Sequence, residues 1–369
     1  LMKKIGFVPH KRRIKKHKVE YLKSIAEAME DPWQTEDGRE VRGIQLELAN
    51  KCAELTGVPY WTFTDCCTDA LQIAIQALTN PGDQILVPSY GWRAFANAVS
   101  FMQRQVRFAD CDESGNMNLD SVVEGLQNNK WGKISAVIVV QNFGTISDVT
   151  KIKPICDELK IKIIEDAAPS FPMGEPYKYI AGHASDVACY SFDFTKCPGT
   201  LGSGGGMCTS NEELFYLFQE IASHGRSRST KEVVRVGTKS YLDVTSCAVL
   251  LKDIELFEQH DYRERRRQVA SFYLDNLPYT CVPGDNFIWE RYTMNVPHKE
   301  VEKVIEKLNT VGCLSRTFFK EPLHLFPWLN THQDECPEVE TFVANTVMLP
   351  SHHFLEDEEV QLIANVLST

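Results

Sequence analysis

The feature that most constrains the fold is an alternation of short apolar runs with helix-patterned segments through the first half of the chain. The pattern predicts strands at 84–87, 105–109, 136–140 and 162–164, and helices at 119–126 and 152–159. Strands that alternate with helices form a mostly parallel sheet covered on both faces, with ligands at the carboxyl ends of the strands. We therefore expect an α/β fold with a ligand site at that edge of the sheet.

Polar residues stand at the ends of two of these predicted strands, as Gln141-Asn142 and Glu165-Asp166. A carboxylate in that position is a candidate binding group, and a helix cap or surface acid is the alternative. A third candidate is Asp65-Cys66-Cys67-Thr68, a predicted strand-to-helix turn. Its unpaired N–H groups and helix dipole can bind phosphate, although Asp and Thr also start helices simply as caps.

The stretch from Ser185 to Thr209 holds the candidate nucleophile, Lys196. A predicted strand precedes this lysine, and five glycines follow it between residues 199 and 206. Glycines let the backbone pack closely, and a desolvated lysine has a lowered pKa, which frees its neutral amine to attack a carbonyl. This indicates a Schiff-base lysine, with a surface lysine beside a flexible loop as the alternative. A phosphate-binding P-loop fits less well, because there the lysine follows the glycines.

Charge and cysteine content exclude several classes of protein. The chain has 369 residues and a net charge of −11, which argues against a general nucleic-acid binder. Eight Lys or Arg residues between Lys3 and Lys18 predict a solvated arm or a patch for phosphates of a small ligand. Twelve cysteines lack C-x-x-C pairs and metal-ligand spacing with histidine, so we expect a cytoplasmic protein without a metal site. We also expect no membrane-spanning segment.

A series of motifs extends over nearly the whole chain. They are Trp33-x-Thr35-x-x-Gly38-x-x-Val41, Pro81-Gly82-Asp83-x-x-x-Val87-Pro88-Ser89-Tyr90-x-Trp92, Ile164-Glu165-Asp166-Ala167-Ala168, Ser191-Phe192-x-x-x-Lys196, Leu201-Gly202-x-Gly204-Gly205, His224-Gly225-Arg226, Pro322-Leu323-His324 and Leu349-Pro350. In this order they resemble the DegT-type nucleotide-sugar aminotransferases, which are pyridoxal-phosphate enzymes of the aspartate aminotransferase fold (fold type I).

The resemblance implies a division of the chain into two domains. Residues 1–245, with the N-terminal arm, would form the large cofactor-binding α/β domain around a mostly parallel seven-stranded sheet. Residues 246–369 would form a smaller α+β domain. Helical spacing of apolar residues predicts that a single long helix, from Val244 to about Leu274, leads into this second domain.

The resemblance also implies roles for individual residues. Lys196 would hold pyridoxal phosphate as a Schiff base and then shuttle a proton. Asp166 would pair with the pyridine nitrogen and keep it protonated, which makes the ring a better electron sink. Trp92 would stack on the ring. The phosphate would be held by Cys67, Thr68 and Ser191.

Three positions depart from the family's pattern. The phosphate turn usually reads Ser-Gly-Thr and is Cys66-Cys67-Thr68 here, so a side chain replaces the glycine. Pro169 stands where the family commonly has Gln, Glu or His. Lys239 aligns with an asparagine that reaches the phosphate of the neighbouring subunit, and we expect it to replace that contact with a charge. These departures suggest an unusual substrate.

The expected function is transfer of an amino group from an amino acid, with glutamate as the expected donor, to a keto sugar of a nucleotide-sugar. The resemblance implies a homodimer with active sites at the interface. Retention of Lys196 favours transamination, because family members that dehydrate carry histidine there. The alternatives are another pyridoxal-phosphate reaction, such as elimination or dehydration of a nucleotide-sugar, and a non-catalytic sugar- or cofactor-binding protein.

Overall fold

A seven-stranded sheet organises the first two hundred residues. The computed structural model describes residues 4–30, 43–145, 147–173, 178–282, 289–315 and 319–368. The motif that starts at Trp33 lies outside these ranges. The strands are β1 (Tyr60–Thr64), β2 (Gln84–Pro88), β3 (Gln105–Ala109), β4 (Ile134–Val140), β5 (Lys162–Asp166), β6 (Val187–Ser191) and β7 (Gly205–Thr209). Their order is β1-β7-β6-β5-β4-β2-β3. Only β7 runs antiparallel to its neighbours, so the predicted mostly parallel sheet is confirmed.

Helices cover both faces of this sheet. They are α1 (His10–Glu30), α2 (Ile44–Thr56), α3 (Cys67–Leu78), α4 (Ala94–Phe101), α5 (Leu119–Gln127), α6 (Lys153–Leu159), α7 (Glu212–Ala222) and α8 (Val244–Gln259). Successive residues of a strand point to opposite faces. Accordingly Ile85 and Val87 of β2 pack in the cluster that contains α3 and α4, whereas Leu86 packs with α5 and α6. Burial on both faces explains why these strands are almost wholly apolar.

The C-terminal part is built on a two-stranded antiparallel sheet, β8 (Tyr292–Asn295) and β9 (Thr346–Leu349). The remaining helices are α9 (Tyr262–Asn276), α10 (His298–Thr310), α11 (Pro337–Ala344) and α12 (Asp357–Ser368). Apolar residues of α9, α10 and α12 share one cluster with both strands. Among the described helices, none is both long enough and apolar enough to cross a membrane.

The prediction of one long helix from Val244 to about Leu274 is wrong. The structure ends α8 at Gln259 and starts α9 at Tyr262, with Asp261 between them in a left-handed conformation (φ 47°). The Asp261 side chain accepts a hydrogen bond from the Glu264 N–H, which caps the new helix. Because α8 packs in the cluster of α2, β1 and β6, we propose that the domain boundary lies between α8 and α9 rather than at residue 245.

The basic N-terminal stretch differs from the solvated arm that was one of our two expectations, the other being a patch for phosphates. From His10 onward it forms the start of α1. Arg13 and His17 are only 2% and 1% exposed, because this helix packs along α8. Two residues of this charged stretch are therefore buried, which its composition alone could not indicate.

Candidate active site

Two acidic residues end β5, and the structure gives them different partners. Glu165 is fully buried and accepts hydrogen bonds from the Tyr179 hydroxyl (2.8 Å), the Gly182 N–H (2.9 Å) and the Gln141 side-chain amide (2.7 Å). These bonds tie the loops that follow β4 and β5 to the sheet. Since neighbours on a strand face opposite ways, Asp166 points to the other side, where α3 begins.

Asp166 lies in a buried, mainly apolar environment. It is 5% exposed, and its Oδ1 accepts a hydrogen bond from the Ala168 N–H (3.1 Å) and lies 3.9 Å from the Cys67 thiol. Burial raises the pKa of Asp166 to about 6, while the Ala168 N–H, the positive charge of Lys196 and the Cys67 thiol oppose that rise. A carboxylate in this environment is stabilised by a cationic or N–H group placed against it.

The turn before α3 has the form of an anion site. Cys66 is the N-cap of α3, and its side chain makes no capping hydrogen bond. The Cys66 carbonyl accepts the first intrahelical hydrogen bond, from the Ala70 N–H, so the N–H groups before Ala70 have no carbonyl acceptor within the helix, and those of Thr68 and Asp69 face the Cys66 thiol. The side chain of Cys67, which replaces the family's glycine, is buried and points toward Asp166.

Gly205 of β7 shows why the glycine cluster is needed beside this turn. A Cβ at Gly205 would lie 2.2 Å from the carbonyl carbon of Cys66 and 2.5 Å from the nitrogen of Cys67. The two backbones therefore touch, and any side chain at residue 205 would push the turn away from the sheet. This close approach is a packing requirement that glycine alone meets.

Lys196 lies on a closed loop between β6 and β7. The loop is pinched at its base, where the Phe192 N–H donates to the Gly204 carbonyl (2.8 Å), and the Lys196 N–H donates to the Asp193 carbonyl (2.8 Å). The Lys196 side chain is half-buried, and its charge acts on Asp166 at the end of the neighbouring strand. Because β5 and β6 are paired and parallel, Asp166 and the loop of Lys196 lie at the same, carboxyl end of the sheet.

The structure describes three further predicted site residues. Ser191, the last residue of β6, is half-buried and accepts a hydrogen bond from the Asp193 N–H (3.4 Å); Thr68 is half-buried in the first turn of α3. Trp92 is 59% exposed, with its ring 6.1 Å from the ring of Phe319 and 5.4 Å from the Arg93 guanidinium. This tryptophan is therefore a surface group with an accessible ring rather than a core residue.

Lys239 lies on the segment that follows α7. Its side chain is exposed, and the ammonium stands 5.3 Å from the centre of the Tyr241 ring. The next residue, Ser240, accepts a hydrogen bond from the Asp65 N–H (3.0 Å) and donates one to the Asp69 carboxylate (2.6 Å). The segment is thereby fixed to the turn before α3, which positions Lys239 near the edge of the site.

Sequence patterns did not predict that Arg13 contacts the loop between β6 and β7 that carries Lys196, which we call the lysine loop. The Arg13 guanidinium donates to the carbonyl of Lys196 (3.0 Å), which lies 183 residues later in the chain. Local sequence spacing cannot predict a contact between residues so far apart in the chain, and Arg13 is one of eight basic residues in its stretch. The predicted Gln141 and Asn142, in contrast, hold loops: Gln141 pairs with Glu165, and Asn142 donates to the Tyr90 and Gly115 carbonyls.

Comparison with solved structures identifies the class of fold. A DegT DnrJ EryC1 StrS aminotransferase from Brucella abortus superposes with a TM-score of 0.87 at 25% identity, over 99% of this chain and 98% of that one. The NtdA protein of Bacillus subtilis, solved with bound cofactor PMP, gives 0.87 at 21% identity, over 100% of this chain and 86% of that one. The expected fold type I architecture is confirmed.

Sequence comparison narrows the class to a family. The chain belongs to the DegT/DnrJ/EryC1/StrS aminotransferase family, whose profile matches residues 15–368. It is 30% identical over 341 residues to the UDP-2-acetamido-2-deoxy-3-oxo-D-glucuronate aminotransferase of Pseudomonas aeruginosa, over 90% of this chain and 92% of that protein. The predicted transaminase activity is therefore confirmed at the level of the family, and the non-catalytic alternative is not supported.

Proposed function

We propose that this protein transfers an amino group from glutamate to a keto group on the sugar of a nucleotide-sugar, with pyridoxal phosphate as its cofactor. The observation that carries the proposal is that buried Asp166 ends β5 while Lys196 lies on the loop that leaves the paired, parallel strand β6, at the same end of the sheet as the start of α3. The P. aeruginosa relative is named for a UDP-linked 3-keto sugar acid, so a UDP-3-keto sugar is the acceptor class to test first.

The residues present fit the cofactor. Buried Asp166 is an acceptor for a protonated ring nitrogen, and that positive charge would offset the penalty that burial imposes on the carboxylate. The N–H groups of the first turn of α3, with the Thr68 and Ser191 hydroxyls, would hold the phosphate. The exposed ring of Trp92 would cover one face of the pyridine. When bound, the cofactor supplies an aldehyde that reacts with amines and a ring that accepts electrons from a breaking C–H bond.

The catalytic work of the chain itself then falls on two groups. The Lys196 Nζ would hold the cofactor through its aldehyde carbon and would carry a proton to and from the substrate carbon. Asp166 would hold the ring nitrogen in its protonated form throughout both half-reactions. The half-buried position of Lys196 keeps its amine partly desolvated and still open to substrate.

We further propose a cytoplasmic homodimer. Support comes from the segment before Lys239, where Val233, Val234 and Val236 are 66%, 52% and 82% exposed. Three adjacent apolar side chains on a surface loop are well suited to burial against a second subunit. In such a dimer Lys239 would reach the phosphate bound in the other subunit with a charge-assisted hydrogen bond.

The test of this function is isotope transfer. Glutamate labelled with ¹⁵N, incubated with the enzyme, pyridoxal phosphate and a UDP-3-keto sugar, should yield a UDP-amino sugar that carries the label, detected by mass spectrometry. GDP- and dTDP-linked 4-keto sugars serve as comparison acceptors. Loss of water from a nucleotide-sugar without incorporation of the label would support the elimination reaction instead.

A further inference from the structure

A buried arginine contacts the lysine loop from outside the site. Arg13 of α1 is 2% exposed, and its guanidinium donates to three carbonyls of the loop that carries Lys196. The acceptors are the carbonyls of Lys196 itself (3.0 Å), Thr200 (2.7 Å) and Phe194 (3.3 Å). One planar group therefore binds the main chain before, at and after the catalytic lysine.

A buried carboxylate completes this contact from the other side. Asp253 of α8 accepts from Arg13 Nη1 (3.0 Å) and from the Gly199 N–H of the same loop (2.9 Å). The Tyr21 hydroxyl, also on α1, donates a short hydrogen bond to the second oxygen of Asp253. Burial by itself would lower the pKa of Arg13, but Asp253, Cys197 and Tyr21 together raise it above its ordinary value, so the arginine stays ionised.

The loop is tightly packed at the point where these groups meet. A Cβ at Gly199 would lie 2.6 Å from the Asp193 carbonyl oxygen, 2.7 Å from the Lys196 carbonyl oxygen and 3.1 Å from Arg13 Nη1. The main chain has no free space there to shift in. A buried carbonyl that loses its donor is costly, so the loop has a strong energetic reason to keep this one arrangement.

We propose that Arg13 and Asp253 are positioning residues for Lys196. They clamp the main chain on both sides of the lysine, so that only its side chain moves between the cofactor and the substrate carbon. Neither residue touches the reacting atoms. The inference rests on the proposed function in one respect, namely that Lys196 is the residue that holds the cofactor.

The presence of a buried ion pair does not by itself show that its two residues serve only to stabilise the fold. Pairs of this kind are often replaced by apolar residues without loss of stability, whereas removal of one partner leaves a buried charge unpaired. The double variant Arg13→Leu/Asp253→Leu therefore separates the two roles. It removes both charges and every side-chain bond to the loop, while the helices keep apolar packing. Arg13→Gln is the single variant.

The neighbouring Arg12 supplies a matched control. It lies on the same helix and makes a similar but more exposed contact in another place, donating to Glu359 (2.6 Å) and to the Phe354 carbonyl (2.6 Å). Arg12→Gln therefore removes an arginine and an ion pair from α1 without removing any bond to the loop.

The experiment measures amide hydrogen exchange in peptides that cover 192–204, in protein free of cofactor, together with the dissociation constant for pyridoxal phosphate. Both the double variant and Arg13→Gln should show exchange in this loop faster by about tenfold or more, as expected when charge-assisted hydrogen bonds are lost. Affinity for the cofactor and kcat should fall about as much. Arg12→Gln should leave loop exchange as in the wild type.

Loop exchange that is unchanged in the folded double variant would overturn the proposal, as would equal acceleration in Arg12→Gln. If Arg13→Gln fails to fold, the double variant decides the matter alone. The proposed function fails separately: faster loop exchange in a protein that never binds pyridoxal phosphate would support the clamp and contradict the enzyme mechanism.

Discussion

Replacing Lys196 with alanine should lower the rate of amino transfer by at least about 10³-fold, because proton transfer by a positioned amine contributes 10²–10⁴-fold and covalent attachment is lost as well. The fall should appear in kcat for both half-reactions, measured by single-turnover absorbance with glutamate and then with the keto sugar. The fold should persist, since the main-chain bonds of the loop do not depend on the lysine side chain.

The control for this variant is Lys153→Ala. Lys153 lies on α6 and pairs only with exposed Asp157 among the bonds that the structure gives it (2.7 Å). An exposed pair of this kind is worth little, so turnover should stay within about twofold of the wild type. Near-normal turnover of Lys196→Ala would mean that another amine does the chemistry.

Replacing Asp166 with asparagine should have opposite effects on activity and on stability. Turnover should fall by about 10²-fold or more, because the ring nitrogen loses the ionic partner that keeps it protonated. The cofactor-free variant should nevertheless be more stable than the wild type at pH 7. Burial raises the pKa of Asp166 from 3.8 to about 6, so ionisation of this group opposes folding.

The direction of the pH effect follows from that shift. Below its ordinary pKa, the Asp166 carboxyl is protonated in both the folded and the unfolded state, so it does not lower the free energy of unfolding. As the pH rises through 6, the unfolded chain has already released its proton, so the wild type loses stability, by up to about 3 kcal/mol at roughly 1.4 kcal/mol per pKa unit. Asparagine removes this loss. Urea denaturation of both cofactor-free proteins at pH 5 and 7 should therefore show a gap that widens with pH.

Asp157→Asn is the matched control for the stability effect, because Asp157 is exposed on α6. Its removal should change stability by less than about 1 kcal/mol and without a step near pH 6. If Asp166→Asn were fully active, or if its stability relative to the wild type did not change with pH, the assignment of Asp166 as the buried partner of the ring would be contradicted.

Sequence patterns predicted the sheet well and placed the two candidate site residues beside its strands, for a physical reason. Strands buried on both faces are continuous apolar runs, and Lys196 and Asp166 each lie within a few residues of such a run. It was harder to predict which of the two acids, Glu165 or Asp166, faces the site, because successive strand residues point to opposite faces of the sheet. The side on which α3 begins decides it, and that depends on tertiary packing.

The parts that sequence patterns missed depend on long-range contacts or on a left-handed residue. The contacts of Arg13 join residues that are about two hundred positions apart, so a helix of basic residues looked like a solvated arm. The break between α8 and α9 occurs at Asp261 within a charged stretch that lacks glycine and proline. Charged residues at helical spacing gave no local signal that the chain turns there.

Chemical trapping of the cofactor tests the central claim most directly. The purified protein, loaded with pyridoxal phosphate, is treated with borohydride, which makes the link between a lysine nitrogen and the cofactor permanent, and peptides are then mapped by mass spectrometry. The mechanism predicts that the added mass falls on Lys196, and that it disappears in Lys196→Ala but persists in Lys153→Ala. Labelling of a different lysine, or no lasting attachment in the wild type, would contradict it.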